Sequence, residues 1–332
     1  MLKSHSYTPA IHNGISEIRK IRLGQLDQYI LIRGENIHNP VLLYLHSGPG
    51  TTEMISFRKA HRKLEKYFTV VYWEQRGTGK SYSSRIPEAS MTIEQLVSDA
   101  HELAEYLKEE FGKEKIVVVG HSWGTALGLR LVQKYPDSFY AYVGSGQEVK
   151  PSEGEKISYR YTLEKARGNA SAMRELKSLD SPAPYLTIDN EGNWLEKLKI
   201  ERKWLVKFGG ETYGRSDNSL LFNLGTIMAP EYTWMDYIRF GTGSSYSLKR
   251  MWPEIMQLDF FRQIPEVKVP VYFFQGRHDY NTPSTLVEKY FNNIKAPYKE
   301  LVWFENSGHH PMYEEPDKYD NNLIEKILPL CK

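Results

Sequence analysis

The chain has 332 residues, 40% hydrophobic and 25% charged, the balance of a globular protein with room for one large α/β domain and an insertion. Forty-three Lys and Arg against 41 Asp and Glu leave a formal charge of +2, too small to hold nucleic acid or an anionic membrane by bulk electrostatics. Its single cysteine, Cys331, excludes an internal disulfide and a cysteine-rich metal site, and no apolar run reaches the roughly 18 residues of a membrane span.

Met1–Lys20 lacks the apolar stretch of a secretory signal, so a cytoplasmic location is expected. Ile18–Ile32, with Gly24 in its middle, reads as an antiparallel opening hairpin. Val41–His46 and Phe68–Trp73 are near-continuous apolar runs, the signature of strands covered on both faces. Thr92–Phe111 is helical: Ile93, Leu96, Val97, Ala100, Leu103, Ala104 and Leu107 fall on one face. Thr92 and Gln95 predict a capping box at its start, and Gly112 a stop. Ile116–Val119 is a further strand, followed by a helical pattern at Ala126, Leu127, Leu129 and Val132.

From Glu148 to Ile255 the pattern changes. No strand-type run stands between turns there, and the helical texture is broken at Pro151, Pro182, Pro184, Pro230 and Pro253. Strand patterns return at Val271–Phe274 and Leu301–Phe304. Strands alternating with helices predict a doubly wound, mostly parallel α/β sheet. The expected organisation is a core formed by residues 1–147 and 256–332, interrupted by a helical cap over 148–255.

The chemistry gathers at predicted strand ends, where doubly wound sheets place their reactive groups. Gly120-His121-Ser122-Trp123-Gly124 joins a strand to a helix. In such a G-x-S-x-G elbow the glycines leave room for a strained serine, whose hydroxyl projects from the sheet. The Trp123 N–H then lies at a helix N-terminus, suited to a developing oxyanion. His46-Ser47-Gly48-Pro49-Gly50 leaves another strand and offers a second donor, Gly48 N–H first and Ser47 N–H second. Asp279, after Gly276, and His309, after Gly308, complete the chain order Ser…Asp…His. His309 is preferred to His310 because it follows the glycine at the sharp turn. His61, His101 and His121 are assigned no chemistry. Gly79-Lys80-Ser81 imitates the end of a phosphate loop, but Glu74 stands where such a loop requires glycine. That segment is read as a turn, with Glu74 and Arg76 holding loops by ion pairing.

Together these motifs resemble the α/β-hydrolase superfamily, in particular its prolyl aminopeptidase-like (proline iminopeptidase) branch. That branch carries H-G-G-P-G, D-Q-R-G-x-G-x-S, G-x-S-W-G, G-x-x-D and G-H. Here they correspond to His46–Gly50, Glu74–Ser81, Gly120–Gly124, Gly276–Asp279 and Gly308–His309. Ser47 and Glu74 depart from the pattern. The W-x-x-W-E-type cap segment, whose glutamate holds a substrate amine, is missing, with Tyr232–Asp236 and Lys203-Trp204 the nearest pieces. Glu148, Glu201 and Glu211 are candidate substitutes. The resemblance implies a serine hydrolase with a Ser122-Asp279-His309 triad and neither cofactor nor metal. It implies a small-molecule or short-peptide substrate, cleaved at its N-terminal residue. A carboxylic-ester or lactone hydrolase is the alternative enzyme. A non-catalytic binding protein on the same fold is the alternative of another class. Loss of a triad residue would be its sequence sign, and all three are present.

Overall fold

The computed structural model describes residues 13–179, 193–217 and 229–331. Its eight-stranded sheet runs in the order β1-β2-β4-β3-β5-β6-β7-β8. β1 (Ile15–Leu23) and β2 (Leu26–Gly34) form the expected hairpin, and β2 lies antiparallel to β4. The turn between them puts Gly24 at φ 50° and Gln25 at φ 65°, the left-handed pair whose twist matches that of the strands. All remaining neighbours are parallel: β3 (Val41–Leu45), β4 (Thr69–Glu74), β5 (Ile116–His121), β6 (Phe139–Ser145), β7 (Val271–Gly276) and β8 (Lys299–Phe304). Their carboxyl ends therefore share one edge of the sheet.

Alternate residues of these strands feed two hydrophobic layers. Leu43, Val71, Val118 and Phe273 pack on one face, and Leu42, Val70, Val119 and Phe274 on the other. Burial on both faces explains why the strands read as unbroken apolar runs. Two strands depart from this: β8, at the sheet edge, is only partly buried, and β6, Phe-Tyr-Ala-Tyr-Val-Gly-Ser, is buried but is not singled out by the sequence pattern. Its Tyr142 is fully buried because its hydroxyl finds acceptors for its one proton in Gln147 Oε1 (2.8 Å) and Thr125 O (3.0 Å).

Short helix α1 (Met54–Ala60) follows the loop after β3. Helix α2 (Ile93–Phe111) buries the predicted stripe. Thr92 Oγ1 accepts from Gln95 N (3.2 Å), but the Gln95 side chain turns to Asp99 (2.8 Å), so only half of the capping box forms. Gly112, at φ 59°, ends the helix in the left-handed conformation. Helix α3 (Trp123–Lys134) follows β5.

Between Glu148 and Ile255 the described residues form helices and turns and contain no strand. The helices are α4 (Pro151–Lys165), α5 (Ala170–Lys177), α6 (Asn193–Lys207) and α7 (Trp234–Ile255). They hold a small core of their own, with Tyr159, Leu176, Leu198 and Trp204 buried and Trp194 stacked on Trp252 at 5.5 Å. Two of the proline positions mark different things. Pro151 opens α4 at its first position, where no N–H is needed, and Pro253 sits inside the last turn of α7. Pro182 and Pro184 lie outside the described residues. Among the described residues no helix is long and apolar enough to cross a membrane, and no group of three or more metal-ligating side chains occurs.

Candidate active site

One residue separates β5 from α3. Ser122 has φ 53° and ψ −121°, a conformation costing an L-residue about 1–3 kcal/mol. Tight local bonding holds it there. Its N–H donates to Ser145 O (2.9 Å), and its carbonyl accepts from Thr125 N (2.8 Å) and Thr125 Oγ1 (2.5 Å). The flanking glycines are steric necessities. A Cβ on Gly120 would lie 2.5 Å from Gly124 O, and one on Gly124 would lie 2.1 Å from Leu45 O. Trp123 occupies the first position of α3, where backbone N–H groups have no partner within the helix. Its indole donates to Gln75 Oε1 (2.9 Å), which ties the elbow to the loop after β4.

Asp279 follows β7 and is fully buried. Its Oδ1 accepts from Asn281 N (2.8 Å) and Thr282 N (2.9 Å). Its Oδ2 accepts from Gln275 Nε2 (2.9 Å), Thr282 Oγ1 (2.7 Å) and His309 Nδ1 (2.9 Å). Thr282 also lies 3.1 Å from His309 Nδ1, but its hydroxyl proton is already given to Asp279. The imidazole proton therefore sits on Nδ1, and Nε2 keeps its lone pair. Burial alone would lower the His309 pKa, but the charge and hydrogen bond of Asp279 outweigh it and hold the group above 6.5. Among the described residues no hydrogen bond joins Ser122 Oγ to His309. Such bonds are often long before substrate binds. The elbow and the His309 loop are nonetheless close: the ring of His121, which precedes Ser122, lies 5.1 Å from that of His309, and a Cβ on Gly146 would lie 2.9 Å from the His309 ring.

The structure separates the two oxyanion candidates. Ser47 N–H already donates to Glu53 Oε2 (3.0 Å), which removes the second choice. Gly48, at φ 127°, has no such partner for its N–H among the described residues. Glu53 also accepts from Tyr44 Oη (2.7 Å), and its other oxygen pairs with His121 Nδ1 (2.9 Å). His121 was assigned no chemistry from sequence, yet it is wholly buried, with Nε2 3.1 Å from His309 O. Of the other unassigned histidines, His61 is buried on Asp320 and His101 stacks on Tyr135. His310 pairs with Glu211 (3.2 Å), not with Asp279. The ion pair expected at Arg76 forms with Asp99 (2.8 Å). Glu74 instead accepts from Lys80 N, Thr52 Oγ1 and Tyr232 Oη, each at 2.7 Å.

Of the three candidate glutamates, Glu211 and Glu148 act on His309 through their charge, whereas Glu201 is held within the cap. Glu201 accepts from Ser158 (2.9 Å) and Thr162 (3.0 Å), and Arg202 bridges it to Glu155. The Glu211 carbonyl accepts from His309 N (2.6 Å). Glu148 differs from these, because its carboxyl has no hydrogen-bond or ion-pair partner among the described residues. Burial pushes it up to about 7, Glu155 adds to the rise, and His309 and Arg202 act in the opposite sense. It follows β6, the strand the sequence pattern did not reveal.

The model of the α/β hydrolase fold family matches residues 40–174. The probable aminopeptidase YbaC of Bacillus subtilis is 34% identical over 309 residues, 93% of this chain and 95% of the relative. A proline iminopeptidase of Saccharolobus solfataricus is 29% identical over 297 residues, 87% of this chain and 84% of the relative. Among solved structures, the proline iminopeptidase-related protein of Thermus thermophilus superposes with a TM-score of 0.65 at 21% identity, covering 96% of this chain and 99% of that one. With a relative matched over nearly its whole length and a shared fold, the chain belongs to the α/β hydrolase fold family, as a serine hydrolase of its proline iminopeptidase-like branch.

Proposed function

We propose that the enzyme is an aminopeptidase that releases the N-terminal residue of short peptides or aminoacyl amides. Ser122 Oγ attacks the first carbonyl carbon while His309 Nε2 takes its proton. Asp279 fixes the Nδ1–H tautomer and stabilises the imidazolium. The backbone N–H groups of Trp123 and Gly48 receive the oxyanion. His309 then protonates the departing amine, and water hydrolyses the acyl-enzyme by the same steps in reverse order. Residues 148–255 act as the lid over this chemistry. Close packing supports that role: a Cβ on Gly50, in the oxyanion loop, would lie 2.8 Å from Ser244 Cα, and one on Gly308 would lie 2.4 Å from Glu211 O.

Glu148 carries the choice of a free amine over a neutral ester. A carboxyl whose pKa burial raises to about 7, beside the base and without a partner among the described residues, suits a substrate ammonium, because ionising there would otherwise be costly. The names of the Bacillus and Saccharolobus relatives point the same way. The test is a panel of aminoacyl-naphthylamides beside p-nitrophenyl esters of graded chain length. The proposal expects higher kcat/KM for substrates with a free α-amine, and loss of that preference on N-acetylation. A higher kcat/KM for acyl esters, unmoved in Glu148→Gln, would favour the ester-hydrolase alternative.

A further inference from the structure

The mechanism above leaves unused a buried pair that touches the elbow itself. Glu53 is 5% exposed and His121 is 0% exposed, and both lie beneath the site. We infer that Glu53 and His121 are a positioning pair that holds three catalytic loops in one register. The inference rests on the triad reading and on bonds already described. The Ser47 N–H to Glu53 bond pins the oxyanion loop. His121 belongs to the elbow itself, one residue before Ser122. Its Nε2, 3.1 Å from the His309 carbonyl, pins the loop that carries the base.

Proton counting fixes the directions. A carbonyl oxygen only accepts, so His121 Nε2 must carry a hydrogen. Its Nδ1 faces a carboxylate oxygen at 2.9 Å, so a second proton lies there. The pair forms a closed, buried hydrogen-bonded unit. Burial would raise the Glu53 pKa, but the charge of His121 and hydrogen bonds from His121, Tyr44 and Ser47 reverse this and hold it well below the usual carboxylate range. Both nitrogens of His121 are engaged, so the ring offers nothing to substrate. Its centroid lies 5.1 Å from that of His309, which makes it a support for the base. By binding Ser47 N–H, Glu53 also leaves Gly48 N–H as the donor of that loop.

Reach, more than charge, is what this role requires, and two substitutions separate them. Glu53→Gln keeps the reach: its carbonyl oxygen can accept from Tyr44 and Ser47, and its amide can donate to a neutral His121 Nδ1. Glu53→Asp keeps the charge but is one methylene too short to hold Ser47 and His121 together. The experiment measures kcat, KM, the rate of fluorophosphonate labelling of Ser122 and the melting temperature for both, with His121→Ala and the double variant Glu53→Asp/His121→Ala. Glu53→Asp and His121→Ala should lose about 10- to 100-fold in kcat and labelling rate, with KM within about threefold, as expected of sub-ångström misplacement. Glu53→Gln should recover to within about fivefold of the wild type, and the double variant should be no worse than the poorer single. A folded Glu53→Asp with wild-type kcat would overturn the inference. So would a Glu53→Gln as impaired as Glu53→Asp, or losses that multiply in the double variant. If His121→Ala does not fold, the Asp and Gln pair alone decides. A wild type that the probe does not label would instead remove the triad reading, and this inference with it.

Discussion

Replacing Glu148 with glutamine should make the enzyme more stable above neutral pH and worse at binding a free amine. In the unfolded chain the carboxyl titrates near 4.5, and in the folded protein at about 7. An acid whose folded pKa is raised destabilises the fold when ionised. The cost is absent below about pH 4, grows as the pH rises through the interval, and is complete above about 7. At about 1.36 kcal/mol for each tenfold change, the interval amounts to about 3 kcal/mol. The group is only partly buried, so solvent screening brings the expected gain at pH 8 to about 1–2 kcal/mol. The functional cost is separate. A charge-assisted hydrogen bond to the substrate ammonium is worth about 1.5–3 kcal/mol, so KM for an aminoacyl amide should rise about 10- to 150-fold. KM for a neutral acyl ester should not change. Thermal melts of both proteins at pH 4 and pH 8, with KM for the two substrates, test the reasoning. Equal stability at pH 8 together with an unchanged amide KM would refute it.

Ser122→Gly should abolish turnover and fluorophosphonate labelling while raising stability by about 1 kcal/mol, because glycine relieves the positive φ at some cost in chain entropy; a less stable variant would contradict the strain argument. Asp279→Asn should lower kcat by about four orders of magnitude through the wrong tautomer, whereas Glu305→Gln, at an exposed residue paired with Arg277, should leave kcat unchanged; the reverse pattern in steady-state assays would show that the wrong acid was chosen. Because His309 must be neutral and is held above 6.5, the acidic limb of kcat/KM should be centred above that pH, and a limb centred below it would exclude His309 as the base. Gly124→Ala should yield little folded protein, since its Cβ would meet Leu45 O at 2.1 Å; soluble expression and circular dichroism at wild-type levels would show that the elbow relaxes.

What the sequence determined by itself was local. The elbow is legible because Gly120 and Gly124 answer to backbone within a few residues or on the adjacent strand, and any strand-to-helix turn around a strained serine needs them. Helix α2 is legible because a single face is buried and both ends are marked in the chain. Chain order suggested Asp279 and His309, because residues at the carboxyl ends of parallel strands share one edge. Tertiary structure decided what depends on distant partners. His121 is an ordinary histidine until Glu53, 68 residues away, meets its Nδ1. Ser47 and Gly48 are adjacent amides, and the approach of Glu53 alone determines which is taken. Glu148 has no periodicity or motif, and its altered acidity comes from the burial and the charges that the fold assembles around it. β6 does not stand out because its tyrosines mimic a half-exposed surface, until helix α3 and the loop after β6 supply partners for a buried hydroxyl. Patterns of burial and backbone sterics are written along the chain, whereas the pairing of buried polar groups depends on which distant segments the fold brings into contact.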